Sequence, residues 1–107
     1  VEPKGVSALR GDKPGIHQIQ GIGDGFIPDV LDTSIITDIV EISDEDAINT
    51  ARELAKVQGL LVGTSSCANV FAAVKMAEKY GKDKVIATIL PDRAERYFST
   101  SLFKEEI

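Results

Sequence analysis

The sequence predicts an α/β fold built on a parallel sheet, and two observations support this prediction. Short apolar segments alternate with longer segments in which apolar residues recur at helical spacing. The segment Val85 to Leu90 is continuously apolar and rich in β-branched residues, which is typical of a strand that helices cover on both faces. We therefore expect strand, helix, short strand, helix and strand in succession, joined by right-handed crossovers.

The first predicted strand and helix lie in the middle of the chain. Asp38 to Ile42 is apolar and β-branched enough for a strand. A helix is predicted from Ser43, because its hydroxyl can cap the helix and the acidic residues Asp44 to Asp46 match the positive end of the helix dipole. Gly59 is expected to end this helix. Its apolar face is formed by Ala47, Ile48, Ala51, Leu54 and Ala55.

A second helix is predicted after the short apolar run Leu60 to Val62. Residues Gly63 to Cys67 turn the chain into this helix, which is expected to end near Tyr80 and Gly81. Because apolar residues surround almost all of its first half, we expect that half to be buried on several sides. The segment Val1 to Pro28 is instead rich in glycine and proline, which indicates loops of the kind that serve a site.

The composition narrows the functions to be considered. The 107 residues, 43% of them hydrophobic, suffice for one domain, and a formal net charge of -5 argues against a nucleic-acid partner. No apolar run is long enough to span a bilayer and the first residues do not resemble a signal peptide, so we expect a cytoplasmic protein. Cys67 and His17 are the sole cysteine and histidine, which argues against a disulfide or a transition-metal site.

Gly21 to Gly25 is the first candidate site. Its three alternating glycines permit positive φ angles and let the backbone approach a ligand closely. A tight turn without a ligand explains them equally well. The segment is not the dinucleotide-binding fingerprint, because the spacing differs and no buried strand precedes it.

Gly63 to Ser66 is the second candidate site. The unpaired N–H groups and the hydroxyls at the start of a buried helix favour a polar ligand. The alternative is that Ser65 or Ser66 merely caps the helix, which requires no ligand.

The third candidate is a charged group after the last predicted strand: Asp92, Arg93, Glu95 and Arg96. Open α/β sheets place their ligands at this end of the strands. Solvated ion pairs nevertheless remain the favoured interpretation of these side chains. Cys67 is likewise interpreted as a small buried thiol, in preference to a reactive thiol of lowered pKa at a helix start.

Four segments, in order along the chain, resemble the C-terminal motifs of the cysteine synthase (O-acetylserine sulfhydrylase) family. They are Val1 to Pro3, Pro14 to Pro28, Gly63 to Ser66 and Glu95 to Thr100. The resemblance extends over essentially the whole chain and corresponds to about the last third of such an enzyme. It implies a pyridoxal-phosphate enzyme of the tryptophan-synthase-like architecture, with three layers around a parallel sheet, that replaces the β-substituent of an acylated serine with sulfide.

The resemblance also implies roles for individual residues. Four residues are implied to contact pyridoxal 5'-phosphate: Ser65, Gly21, Gly63 and Thr64. Three residues are implied to form the substrate loop: Ile22, Gly23 and Asp24. The hydroxyl of Ser65 is implied to bond the pyridine nitrogen, and a neutral hydroxyl at the positive end of a helix does not stabilise a protonated ring as a carboxylate would. Such a contact suits β-elimination.

Two motifs of the family are not present in the chain. The family binds its cofactor through a lysine and an asparagine in an N-terminal motif and holds the phosphate in a separate glycine-rich loop. We therefore expect a C-terminal segment that is inactive alone and is completed by an N-terminal part. The resemblance further implies an amino-acid substrate, a homodimeric parent enzyme and serine acetyltransferase as a partner. None of the eight lysines lies in a pattern that would activate an amine: Lys4, Lys13, Lys56, Lys75, Lys79, Lys82, Lys84 and Lys104.

Three departures from the common family pattern are visible. Asp24 stands where alanine is usual, Cys67 where glycine is usual, and Arg93-Ala94 where serine-glycine is usual. These departures leave open a related β-replacement enzyme, such as a cystathionine β-synthase-like one. A different alternative is a non-catalytic α/β module that binds a phosphate or nucleotide at Gly63 to Ser66.

Overall fold

Among the described residues, a pair of short parallel strands and two α-helices form most of the regular structure. The computed structural model describes residues 1–12, 15, 19 and 22–93. Strand β1 (Glu2–Pro3) pairs in parallel with strand β2 (Glu41–Ile42). The ladder extends by one residue, because the Lys4 N–H donates to the Ile42 carbonyl at 2.8 Å. Parallel pairing across a long connection confirms the predicted α/β class, and β2 confirms the end of the predicted strand.

Helix α1 (Asp44–Glu53) begins where the sequence predicts. The Ser43 hydroxyl accepts a hydrogen bond from the Asp46 backbone N–H at 3.1 Å, so the expected cap is formed. The chain continues as a π-helical turn (Leu54–Gln58) and stops at Gly59, whose φ of 67° is left-handed. Glycine adopts this conformation without a steric cost, which is why the helix ends here.

Helix α2 (Thr64–Tyr80) is the longest element and ends at Gly81, as predicted. It packs against both α1 and β2. Its buried residues all lie in its first nine positions: Thr64, Ser65, Ser66, Cys67, Ala68 and Ala72. The expected burial of the first half is confirmed, while the second half faces solvent.

The hydrophobic core lies between β2 and the two helices. One cluster joins a residue of the N-terminal loop to β2 and to both helices: Ile19, Ile42, Ala47, Ala68 and Ala72. Ile22, Val40 and Phe71 pack against it from the rim. A second, smaller cluster pairs Ala51 of α1 with Cys67 of α2. The small alanine side chains let the helix backbones approach each other closely.

Two predicted strands are not formed among the described residues. Val62 makes an isolated antiparallel bridge with Arg93, so the run from Leu60 does not become a strand. The segment Val85 to Leu90 pairs with no described strand and is exposed, with Val85 at 97% and Ile89 at 73%. A strand pairs its backbone groups with at least one neighbouring strand, and neither described strand pairs with this segment. A groove of about 470 Å³ lies between this segment, residues 35–40 and helix α2.

The N-terminal segment is predominantly loop, as predicted. Beyond β1, its described residues contain one short 3₁₀ turn, Ala8–Arg10, and a second such turn follows at Thr33–Ile35. None of the helices in the described part of the chain is both long enough and apolar enough to cross a membrane.

Candidate functional site

The first turn of α2 carries a buried run of hydroxyl side chains. Thr64 is 2% exposed, Ser65 is 4% exposed and Ser66 is fully buried. Buried hydroxyls need hydrogen-bond partners, because leaving one unpaired costs about 1 to 3 kcal/mol. The hydrogen-bond partners of these hydroxyls therefore indicate whether the helix start only stabilises the fold or is also available to a ligand.

Neither serine caps the helix. The N-cap residue is Gly63, which has no side chain to accept from the first-turn N–H groups. The alternative interpretation of Ser65 or Ser66 as the cap is therefore wrong, because both residues already lie inside the first turn. Helix α2 thus presents the positive end of its dipole without a side-chain cap.

The two serines differ in their partners. The Ser66 hydroxyl donates to the backbone carbonyl of Asp92 at 3.4 Å, a long and weak contact. The Ser65 hydroxyl has no hydrogen-bond partner in the part of the chain that the structure describes. The Ser65 residue is 4% exposed, and its oxygen is not among the fully buried polar atoms that lack a partner, so the hydroxyl is open to an acceptor on a ligand.

The loop at Asp92 holds the start of α2 in place. The Asp92 carbonyl accepts from the Gly63 N–H at 3.2 Å, and the neighbouring Arg93 forms the bridge to Val62. Asp92 thus holds the helix start through its backbone carbonyl. The interpretation of Asp92 as a solvated surface charge did not predict this contact. A backbone carbonyl is common to every residue, so no sequence signal could have revealed this role.

The glycine-rich loop is joined to the hydrophobic core. Ile22 packs on the cluster that Ile19 forms with β2 and the two helices. Gly23 and Gly25 have φ angles of 73° and 85°, which a residue with a side chain adopts only with strain. These two left-handed residues flank Asp24, whose side chain is exposed. The structure therefore anchors the first residue of the predicted substrate loop, Ile22, on the core.

Cys67 points away from this loop and into the protein. It is fully buried beside Ala51, with Leu54 and Val62 packed around it. Burial, together with the negative charge of Asp92, raises the pKa of the Cys67 thiol to about 11. The interpretation as a small, unreactive buried thiol is confirmed. Because its side chain faces α1, its additional bulk is accommodated between the helices.

Several predicted features lie outside the described residues. They are Gly21, His17, Ala94, Glu95, Arg96 and the motif Glu95 to Thr100. Among the described residues, no cluster of histidine, cysteine or acidic side chains could hold a metal ion. All described lysines are exposed: Lys4, Lys56, Lys75, Lys79, Lys82 and Lys84. None of these six lies in a buried environment of the kind that activates a catalytic lysine.

The chemistry of these residues fits the pyridine side of pyridoxal phosphate. A ring nitrogen is an acceptor, and the Ser65 hydroxyl is a donor without a protein partner in the described part of the chain. Gly23 and Gly25 have the backbone freedom that close approach to a planar ligand requires.

The chain is similar to known enzymes along nearly its whole length. It is 54% identical to cysteine synthase B of Campylobacter jejuni and 47% identical to a probable cysteine synthase of Bacillus subtilis, in each case over 96% of this chain. These alignments cover 34% and 33% of the relatives. The chain therefore spans about a third of the length of the curated relatives it matches.

Solved structures show the same relationship. The crystal structure of cysteine synthase from Entamoeba histolytica superposes with a TM-score of 0.93 at 41% identity, over 99% of this chain and 32% of that one. An O-acetylserine dependent cystathionine β-synthase from Helicobacter pylori gives 0.88 at 44% identity, over 96% of this chain and 33% of that one. This likeness confirms the tryptophan-synthase-like α/β architecture that the motifs imply.

Comparison with models of protein families shows the family to which the chain belongs. Residues 1–92 match the family described as pyridoxal-phosphate dependent enzyme. This match includes β1, β2, both helices and the loop at Asp92, so it covers every element that builds the site. The chain belongs to the pyridoxal-phosphate dependent enzyme family.

Proposed function

We propose that this chain is the C-terminal segment of a cysteine-synthase-like enzyme, in which it forms the side of the site that faces the pyridine ring. The observation that carries the proposal is Ser65, a residue only 4% exposed at an uncapped helix start, whose hydroxyl has no protein partner among the described residues and is open to a ligand. An N-terminal part contributes the lysine and the phosphate loop. The parent is a homodimeric cytoplasmic enzyme that docks serine acetyltransferase, as the family resemblance implies.

Each part of the segment has a definite role in this proposal. Pyridoxal phosphate, when bound, supplies the electron-withdrawing ring that lets the β-substituent of an acylated serine leave and be replaced. The Ser65 hydroxyl donates a hydrogen bond to the ring nitrogen and fixes the orientation of the ring. Gly63 and Thr64 place backbone beside it, and the buried first turn of α2 excludes water there.

The uncharged nature of the Ser65 contact matters for the reaction. A hydroxyl donates a hydrogen bond to the ring nitrogen without adding negative charge, and the positive end of α2 disfavours protonation of that nitrogen. The ring therefore stays less electron-withdrawing than one paired with a carboxylate. This arrangement favours replacement at the β-carbon over side reactions at the α-carbon.

The test uses the full-length enzyme that contains this segment, with bound cofactor. Ser65→Ala should weaken cofactor binding by about 3- to 10-fold, which corresponds to the loss of one neutral hydrogen bond. Ser65→Asp should shift the cofactor absorption spectrum by stabilising a protonated ring and should reduce β-replacement. Ser66→Ala, which removes only a weak contact to Asp92, and Lys75→Ala are the matched controls.

Two results would contradict the proposal. If Ser66→Ala weakened cofactor binding more than Ser65→Ala did, the ring contact would be assigned to the wrong serine. If Lys75→Ala abolished covalent cofactor attachment, the segment would itself contain the reactive lysine.

A further inference from the structure

The sequence contains one aspartate that glycine follows directly, Asp24 before Gly25. No other aspartate or asparagine of the sequence is followed by glycine. Every other residue type carries a Cβ atom close to its own backbone nitrogen, and this atom hinders the approach of the preceding side chain. The Asp24 carboxyl group therefore meets the least steric hindrance at the following nitrogen of any aspartate in the chain.

The Asp24 carboxyl group is not held by any other group. The residue is exposed, and within the described part of the chain its side chain makes no hydrogen bond or ion pair. Other loop aspartates are held. Asp32 accepts hydrogen bonds from the N–H and the hydroxyl of Ser34 at 3.0 and 2.6 Å. Asp38 pairs with Lys79 at 2.9 Å. The Asp24 side chain is thus free to rotate toward its own backbone.

The backbone nitrogen of Gly25 is equally unrestrained. Its N–H makes no hydrogen bond within the described part of the chain. Gly25 has a φ of 85° and lies outside any helix or strand, so no regular hydrogen-bonding pattern fixes the peptide that joins it to Asp24. After Asp83, by contrast, the following N–H belongs to Lys84 and donates to the Gly81 carbonyl at 3.4 Å.

We propose that Asp24 and Gly25 form a spontaneous modification site, at which the aspartyl linkage converts to an isoaspartyl linkage through a cyclic succinimide. The Gly25 nitrogen attacks the side-chain carboxyl carbon of Asp24. A C–N bond forms, and the N–H proton leaves with the carboxyl hydroxyl as water. Water then adds to the main-chain carbonyl of the ring, and the bond from that carbonyl to nitrogen breaks. The mass is unchanged overall, and the reaction requires no oxidant, no cofactor and no β-replacement activity.

The product differs from the original loop in two ways. The backbone between Gly23 and Gly25 becomes longer by one methylene group, because it now runs through the β-carbon of residue 24. The former main-chain carboxyl group becomes a free carboxylate on a side branch. This carboxylate is what an isoaspartate-specific methyltransferase esterifies with S-adenosylmethionine, and the exposed position of Asp24 leaves it accessible to such an enzyme.

The experiment ages the folded full-length enzyme, with bound cofactor, at neutral pH over several weeks. Samples are digested with a protease that cuts before aspartate but not before isoaspartate, and the peptides are identified by mass spectrometry. Cleavage between Gly23 and Asp24 should be lost progressively at constant peptide mass. Cleavage before Asp32 and Asp83 should stay complete, so these two residues are internal controls in the same sample. If cleavage before Asp24 persists as it does at the controls, the proposal is wrong.

Two variants test the chemistry of ring closure. Gly25→Ala should slow isoaspartate formation by about 10-fold, a barrier higher by ~1.4 kcal/mol, because the added Cβ crowds the attacking nitrogen. Asp24→Glu keeps the charge but would have to close a larger ring, so the aged variant should accept no methyl group at this position from a purified isoaspartate-specific methyltransferase. Equal methylation of aged Asp24→Glu and unaltered protein would place the modification elsewhere. Modification of the urea-unfolded protein alone would show that the folded loop protects Asp24, and would also overturn the proposal.

Discussion

Raising the pH from 8 to 11 should destabilise the folded protein through the thiol of Cys67. Burial, with a contribution from the Asp92 carboxylate, raises the pKa of this thiol from an ordinary value of 9.0 to about 11. A raised pKa means that the folded state holds the thiol in its protonated form. The resulting stabilisation is complete below pH 9 and is lost as the pH rises through the folded-state pKa.

The size of the effect follows from the two pKa values. A difference of about two pKa units corresponds to about 3 kcal/mol of stability in total. Linkage predicts that about half of this stability is lost by pH 10 and most of it by pH 11. Most of the loss therefore occurs within an accessible pH range.

The assay is urea unfolding followed by far-ultraviolet circular dichroism at pH 8, 9, 10 and 11. Lysines and tyrosines also titrate in this range, so the protein is compared with the Cys67→Ala variant, in which they are unchanged. As the pH rises, the free energy of unfolding should fall more in the unaltered protein than in Cys67→Ala. If the two stability curves stay parallel to pH 11, the thiol does not lie in the buried environment described.

Three further perturbations test the helix cap, the core and an ion pair. Ser43→Ala removes the cap of α1 and should lower the free energy of unfolding by about 1 kcal/mol in a urea titration, whereas Ser43→Asn should retain most of it. Ile42→Ala should lower it by about 2 to 5 kcal/mol, since Ile42 is 1% exposed at the centre of the core. Lys79→Met should raise the pKa of Asp38, measured by NMR titration, because the hydrogen bond from Lys79 now holds that pKa below its ordinary value. Lys75→Met, which removes a similarly exposed charge, should not move the pKa of Asp38.

The refuting results differ in each case. A cap variant as stable as the original would mean that Ser43 does not determine the start of α1. A loss below about 1 kcal/mol in Ile42→Ala would mean that the core closes over the deletion or is not packed there. If both lysine variants raised the pKa of Asp38 equally, the low pKa would be due to the overall positive charge nearby and not to the direct Lys79–Asp38 pair.

The helices could be predicted from the sequence because their signals are local. Ser43 with its acidic first turn specifies a beginning, and Gly59 specifies an end, within a few residues of chain. The spacing of small apolar residues also predicted that the start of α2 is buried. None of these inferences required knowledge of a distant segment.

The strands could not be predicted with the same success, because pairing is a property of two segments. Val85 to Leu90 has the composition of a buried strand, yet its conformation depends on neighbours that the described residues do not supply. For β2 the prediction succeeded at Glu41–Ile42, where β1 happens to supply a partner within the same chain.

The candidate site, like the fold, could be predicted from the sequence only in part. The motif around Ser65 identified the segment, but the pairing of Ser66 with the Asp92 carbonyl brings together residues far apart in sequence. The orientation of Cys67 toward α1 likewise depends on how the helices pack. Side-chain chemistry was therefore predictable, whereas the direction in which each group faces was not.

The exposed segment from Val85 to Leu90 has a consequence for handling this stretch of chain in isolation. It is uncharged and β-branched, and its described residues leave the backbone N–H and C=O groups without strand partners. Such an edge is a template on which another copy of the same segment can stack, the first step toward amyloid-like aggregates. Solubility then depends on covering this edge, and a lysine introduced at Val85 should act as a gatekeeper against fibre growth.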